Sequence, residues 1–120
     1  MKNKNNPNFN SGFLPTLINL KNTDIAQWIQ NPKHVYIGRY CYALRVSSLW
    51  GNPFRISAST TREQAICKYE AFLTNNYELQ NALWQLCNKE LGCWCFPEPC
   101  HGQVLINAVK HMLLYDIDRI

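Results

Sequence analysis

Short apolar runs and longer helical stripes alternate along this chain. Thr16–Leu20 (T-L-I-N-L) and Val35–Gly38 (V-Y-I-G) are brief apolar runs that read as strands, and Leu91–Cys95 reads as a third. Between the first two, Thr23 or Asp24 is placed to cap a short helix through Ile29, which ends before Pro32. From Thr60 onward the period lengthens. Ala65, Ile66, Tyr69, Phe72 and Leu73 form a helical stripe, preceded by two candidate capping boxes, Thr60 with Glu63 and Thr61 with Gln64. After the Asn75–Asn76 break, Leu79, Leu83 and Leu86 predict a second helix. A third is expected from Gly102, with Val104, Leu105, Ala108, Val109 and Met112 on its apolar face and His111 on the same stripe. Tyr40–Val46 suits either a strand or an irregular loop. Residues 1–13 are polar and Asn-rich without period, so they are expected to form a flexible leader before a single domain over 14–120.

Strands followed by helices, with glycine at a strand end, predict an α/β fold: a small layered sandwich with a short, largely parallel sheet flanked by helices. In such sheets ligands gather beyond the carboxyl ends of the strands. Gly38, the Gly51–Phe54 loop and the Phe96–Gly102 loop are all expected near that edge.

Composition narrows the function. The chain has 120 residues, enough for one core, with 12 basic against 8 acidic residues for a net charge of +4. The basic residues are scattered and not clustered, so a nucleic-acid partner is not favoured. No apolar run approaches the roughly 20 residues of a membrane span. The first residues, M-K-N-K-N-N-P-N-F-N, lack the apolar centre of a secretion signal. The six cysteines are therefore expected as free thiols in a reducing, cytoplasmic setting, with Cys41, Cys67 and Cys87 packing as small apolar residues.

Leu91–Gly102 (L-G-C-W-C-F-P-E-P-C-H-G) is where chemistry is expected. In a strand, Cys93 and Cys95 share a face about 6–7 Å apart, with Trp94 on the other. Cys100 and His101 then arrive at a helix start, where the dipole favours a thiolate or an anionic ligand. Three readings stand. Cys93, Cys95 and Cys100 are candidate zinc ligands, although C-x-C is not the usual spacing and adjacent Cys100 and His101 reach one ion with difficulty. Alternatively Cys100 is a nucleophile assisted by His101. In the third reading the cysteines only pack and Pro97, Pro99 and Gly102 only shape a turn. Haem attachment and zinc-deaminase patterns fail, since four residues separate Cys95 from Cys100 and no H-x-E occurs.

A second segment adds binding groups. Arg39, Arg45, Arg55 and Arg62 are donors suited to phosphate or carboxylate. Trp50 and Phe54 are candidates to stack on a ring and Asn52 to read its edge, with core anchoring as the alternative for the aromatics. His34 and His111 are expected to be structural.

The order V-Y-I-G-R, W-G-N-P-F, T-R-E-Q-A-I-x-x-Y and L-G-C-W-C-x-P-x-x-C-H-G-x-V-L resembles a family of bacteria, phages and large viruses: the domain of unknown function numbered four-three-two-six. The resemblance spans about Thr16 to Met112. It carries Gly38, Arg39, Gly51, Asn52, Pro53, Phe54, Arg62, Tyr69, Cys93, Cys95, Cys100, His101 and Gly102, and implies that they form one composite pocket while leaving the reaction open.

The leading expectation is an enzyme or ligand-binding domain for a nucleotide-like or other anionic small molecule. Gly38, Arg39, Gly51, Asn52, Pro53, Phe54, Arg62 and Gly102 would hold the ligand, and Cys100 and His101 would act on it. The alternative is a non-enzymatic zinc-stabilised module for a protein or nucleic-acid partner, with Cys93, Cys95 and Cys100 as ligands. An iron–sulfur protein is a third option without a recognised ligand spacing.

Overall fold

Leu17, Leu91 and Val35 stand side by side across three strands, and the fold is organised around that row. A computed structural model describes residues 11–39 and 48–115; the expectations for the leader before Ser11, for Tyr40–Val46, and for Cys41 and Arg45 lie outside the described residues. The strands are β1 (Thr16–Asn19), β2 (His34–Tyr36) and β3 (Glu90–Cys93). All pair in parallel in the order β1-β3-β2, so β3 is central. The predicted α/β fold with a parallel sheet is therefore what the chain adopts.

Because side chains alternate along a strand, the two sheet faces differ in content. Leu17, Leu91 and Val35 face a layer made by α2 (Arg62–Thr74), α3 (Tyr77–Ala82), a 3₁₀ turn (Leu83–Leu86) and α4 (His101–Tyr115). There Tyr69, Leu73, Leu79, Leu83, Leu86, Leu105 and Val109 bury against the sheet. Ile18, Gly92 and Tyr36 form the opposite row, covered by Trp28 of α1 (Ile25–Trp28). Gly92 makes that cover fit: a Cβ there would lie 2.5 Å from the Trp28 ring.

Local signals account for the element ends. Asp24 caps α1 by accepting from the Gln27 amide. Of the two candidate boxes, Thr61–Gln64 forms, with both reciprocal bonds present. Thr60 instead bridges to Ser57 in a tight loop. Ser11–Phe13 forms a 3₁₀ turn whose Phe13 carbonyl accepts from the Asn88 amide at 2.7 Å.

Several expectations change, among them the second helix, which divides into α3 with Leu79 and the 3₁₀ turn with Leu83 and Leu86. β3 stops at Cys93, because the chain turns at Trp94–Glu98, closed by the Glu98 amide on the Cys95 carbonyl at 2.8 Å. His111 is exposed beside Tyr115 and not on the apolar stripe; it falls well off the line that Leu105 and Val109 draw along the helix. Cys67, expected to pack as an apolar residue, is exposed on the outer side of α2, away from the line of Ala65, Tyr69 and Leu73.

Candidate functional site

Beyond the carboxyl ends of β2 and β3 the chain leaves a cavity of about 370 Å³. Cys93 enters it as the last residue of β3, while Gly38 and Arg39 follow β2. The loop around Asn52–Ile56, the first turns of α2 with Arg62, Ala65 and Ile66, and the start of α4 with Cys100 and His101 complete its wall. The placement is the one expected of a parallel sheet.

Of the residues singled out from sequence, Gly38, Arg39, Asn52, Phe54, Arg55, Arg62, Cys93, Cys95, Cys100 and His101 line this cavity. Gly51, Pro53 and Gly102 do not. A Cβ on Gly51 would lie 3.0 Å from the Gly38 carbonyl oxygen, so its glycine serves a close approach of two backbones. Pro53 is exposed beside it. Gly102 seats α4 on the sheet, since a Cβ would meet Leu17 at 2.4 Å. Trp50 is buried in the core, and its carbonyl accepts from the Tyr69 hydroxyl at 2.8 Å, so its ring is an anchor. Asn52 has its amide on the Ala65 carbonyl and its oxygen on the Phe54 amide, which ties the loop to α2. His34 stacks on Trp28 and reaches Glu90, a structural placement.

Sequence reasoning passed over Tyr36, Ile56, Trp94 and Pro99 as cavity residues. For Trp94 the only signal was its place in the C-W-C triplet. The others come together through contacts between residues far apart in the chain.

The cavity wall is basic. Arg39, Arg55 and Arg62 line it, with no Asp or Glu among the lining residues described. Arg39 donates to the Phe54 carbonyl at 3.0 Å, and Arg62 to the Pro99 carbonyl at 3.2 Å. Both guanidiniums are held there by neutral carbonyl acceptors. Partial burial and the neighbouring Arg55 charge pull the Arg39 pKa below its ordinary value.

Two thiols meet at the inner end. Cys93 and Cys100 are almost fully buried and hydrogen-bonded to each other. The Cys100 thiol donates to the Cys93 sulfur, and the Phe96 and Cys95 amides add to it, so Cys93 ionises well below the ordinary thiol range. Cys100 is pushed the other way, first by its bond to Cys93 and then by burial. The helix-start amide of Gly102 does reach the Cys100 sulfur at 3.3 Å. That single backbone donor is outweighed by two on Cys93. The negative charge expected on Cys100 therefore belongs on Cys93, with Cys100 as its donor.

His101 is clamped. Its Nε2 donates to the Ile37 carbonyl at 2.8 Å, and its ring packs edge-on against Tyr69 at 4.8 Å. The carbonyl can only accept, so Nε2 carries the proton and Nδ1 faces the Cys100 sulfur at 3.8 Å. Burial holds the imidazole pKa below 6.5, so the ring is neutral at pH 7. The unfolded chain takes up this proton near pH 6.5, before the folded one does, so His101 makes stability rise with pH through that window and fall on acidification. The slope for one proton is at most about 1.4 kcal/mol per pH unit. Urea unfolding at pH 7.5 and 5.5 should show a smaller acid loss in His101→Asn than in the parent, and equal losses would refute the assignment.

Cys93, Cys95 and Cys100 do not converge as a three-ligand set. The turn after Cys93 removes the shared strand face expected of C-x-C. Among the described residues no group of three or more His, Cys, Asp or Glu side chains is placed to hold a metal ion. Also among them, no helix is long and apolar enough to cross a membrane.

Comparison with known proteins follows the same lines. Residues 18–111 match the model of a family described as a domain of unknown function, DUF4326. An uncharacterised protein of Acanthamoeba polyphaga mimivirus is 34% identical over 117 residues, covering 87% of this chain and 86% of that protein. No solved structure matches the chain.

Proposed function

This chain belongs to the DUF4326 family, and from the geometry of its cavity we propose that it binds a nucleotide-like or other anionic small molecule and acts on it with the thiols at the inner end. The observation that carries this reading is the convergence of Arg39, Arg55 and Arg62 on one cavity without a lining carboxylate. Guanidinium groups in partly dry surroundings bind phosphate and carboxylate through paired, charge-assisted hydrogen bonds. Their own carbonyl contacts pre-orient Arg39 and Arg62, which lowers the entropy lost on binding. At the inner end, Cys93 offers a sulfur stabilised as thiolate, Cys100 a thiol proton and His101 a fixed neutral imidazole. Together these are the elements of nucleophilic chemistry.

The test is calorimetric titration with nucleoside monophosphates, pyrophosphate and inorganic phosphate. Binding of at least one probe is expected. Arg39→Ala and Arg62→Ala should each weaken it by about 10- to 100-fold, the worth of one hydrogen bond to a charged group. Added salt should weaken it too. Absence of binding by every probe, or full affinity in both variants, would overturn the reading.

One observation favours the second reading, a zinc-stabilised module for a protein or nucleic-acid partner. The Cys93 and Cys100 thiols touch and form half of a tetrahedral sulfur set. It requires one metal ion per chain by elemental analysis, lost in Cys93→Ser, together with loss of cooperative unfolding on chelation.

A further inference from the structure

We infer that Trp94 is the ring-recognition residue of this cavity, so that the anion taken there is a nucleotide: a phosphate joined to an aromatic base. The inference rests on the anion-binding reading above and narrows its ligand.

Trp28 and Trp50 are 8% and 4% exposed and belong to the core. Trp84 is exposed but borders a separate depression with Val35, Gln85 and Lys89. Trp94 is 46% exposed and lines the arginine cavity. Its indole N–H is already committed, donating to the Tyr36 hydroxyl at 3.1 Å. Tyr36 in turn donates to the Arg39 carbonyl. This chain of bonds sets the indole in position relative to the backbone of a phosphate-binding arginine. What the indole has left to offer a ligand is its π-face.

A bare phosphate or carboxylate gains nothing from that face. Apolar wall from Trp94, Phe54 and Ile56 borders the same space as the three guanidiniums, a lining suited to a ligand that is charged at one end and flat and apolar at the other. The volume of about 370 Å³ is at the low end for small-molecule sites, which suits one base with its phosphate better than a dinucleotide. Base–indole stacking tolerates any base, so Trp94 selects for the presence of a ring and not for its identity.

The experiment compares two probes on three proteins: AMP and pyrophosphate titrated into the parent, Trp94→Ala and Trp94→Phe, with circular dichroism and thermal unfolding alongside. Trp94→Ala should weaken AMP by roughly 5- to 150-fold, the range of one base–aromatic stack, and leave pyrophosphate unchanged. Trp94→Phe should recover most of the AMP affinity, which a merely structural tryptophan would not predict. Equal losses for both probes, or no loss for either, would overturn the role of Trp94 while leaving anion binding in place. If the parent binds neither probe, the anion-binding reading fails and this inference with it.

Discussion

Gly92→Ala is expected to cost about 2–3 kcal/mol of stability, the upper range for overpacking a tight interior. For a chain of this length that is a fall in Tm of roughly 10 °C. Gly92 sits on the central strand between Ile18 and Tyr36, and a Cβ would meet the Trp28 ring at 2.5 Å and Leu20 at 2.8 Å. The ring has little room to yield. Its indole N–H donates to Glu90 at 3.2 Å and its face stacks on His34 at 4.4 Å. Thermal and urea unfolding measure the loss, and a double-mutant cycle tests its cause. With Trp28→Leu as background, adding Gly92→Ala should cost clearly less than it does alone, because the two residues are in contact. Strict additivity would show that the clash is relieved elsewhere.

Cys93 should lose its labelling by iodoacetamide at a pH well below that of an ordinary thiol. Its pKa is drawn down to about 6, chiefly by the Cys100 thiol donating to it. At pH 7 a sulfur so held is thiolate to a far greater extent than a free cysteine of pKa about 8.5, which is so to a few per cent. The rate gain is smaller than that ratio, because thiolate nucleophilicity falls with pKa, and burial slows access further. The midpoint of the pH–rate curve is therefore the decisive reading. It should lie near 6 for Cys93 in the parent and move up by more than a unit in Cys100→Ala, which removes the donor. Peptide mapping of the labelled protein reports which sulfur reacted. A midpoint near 8.5 in both proteins, or first labelling at Cys100, would reverse the assignment of the pair.

The elements were legible wherever short-range chemistry decides them. Asp24 and Thr61, each one of two candidates that the sequence offered, cap their helices, since a side chain bonding an amide three residues on is a local signal. Apolar runs marked the three strands. The end of β3 was misplaced by two residues because Trp94 and Cys95 have strand-like character, while the hydrogen bonds that turn the chain come partly from elsewhere. The Asn19 amide donates to the Phe96 carbonyl across 77 positions of sequence. His111 was misassigned because an imidazole near an apolar stripe does not announce which side of it the ring lies on.

By itself, then, the sequence determined the parallel α/β plan, the approximate helix starts, and the carboxyl edge of the sheet as the place where glycine, arginines and cysteines gather. Tertiary structure decided what those residues are to one another. Arg62 reaches Pro99 across 37 positions, Trp94 reaches Tyr36 across 58 and His101 reaches Ile37 across 64. Each of those contacts orients a group or helps fix its protonation, and none is set by spacing along the chain. A thiol's charge depends on which donors surround it within a few ångströms, and an arginine's use depends on whether a carboxylate lies nearby. Those are distances in space, so only the folded chain could assign the charge to Cys93, neutrality to His101 and three convergent arginines to the cavity they share.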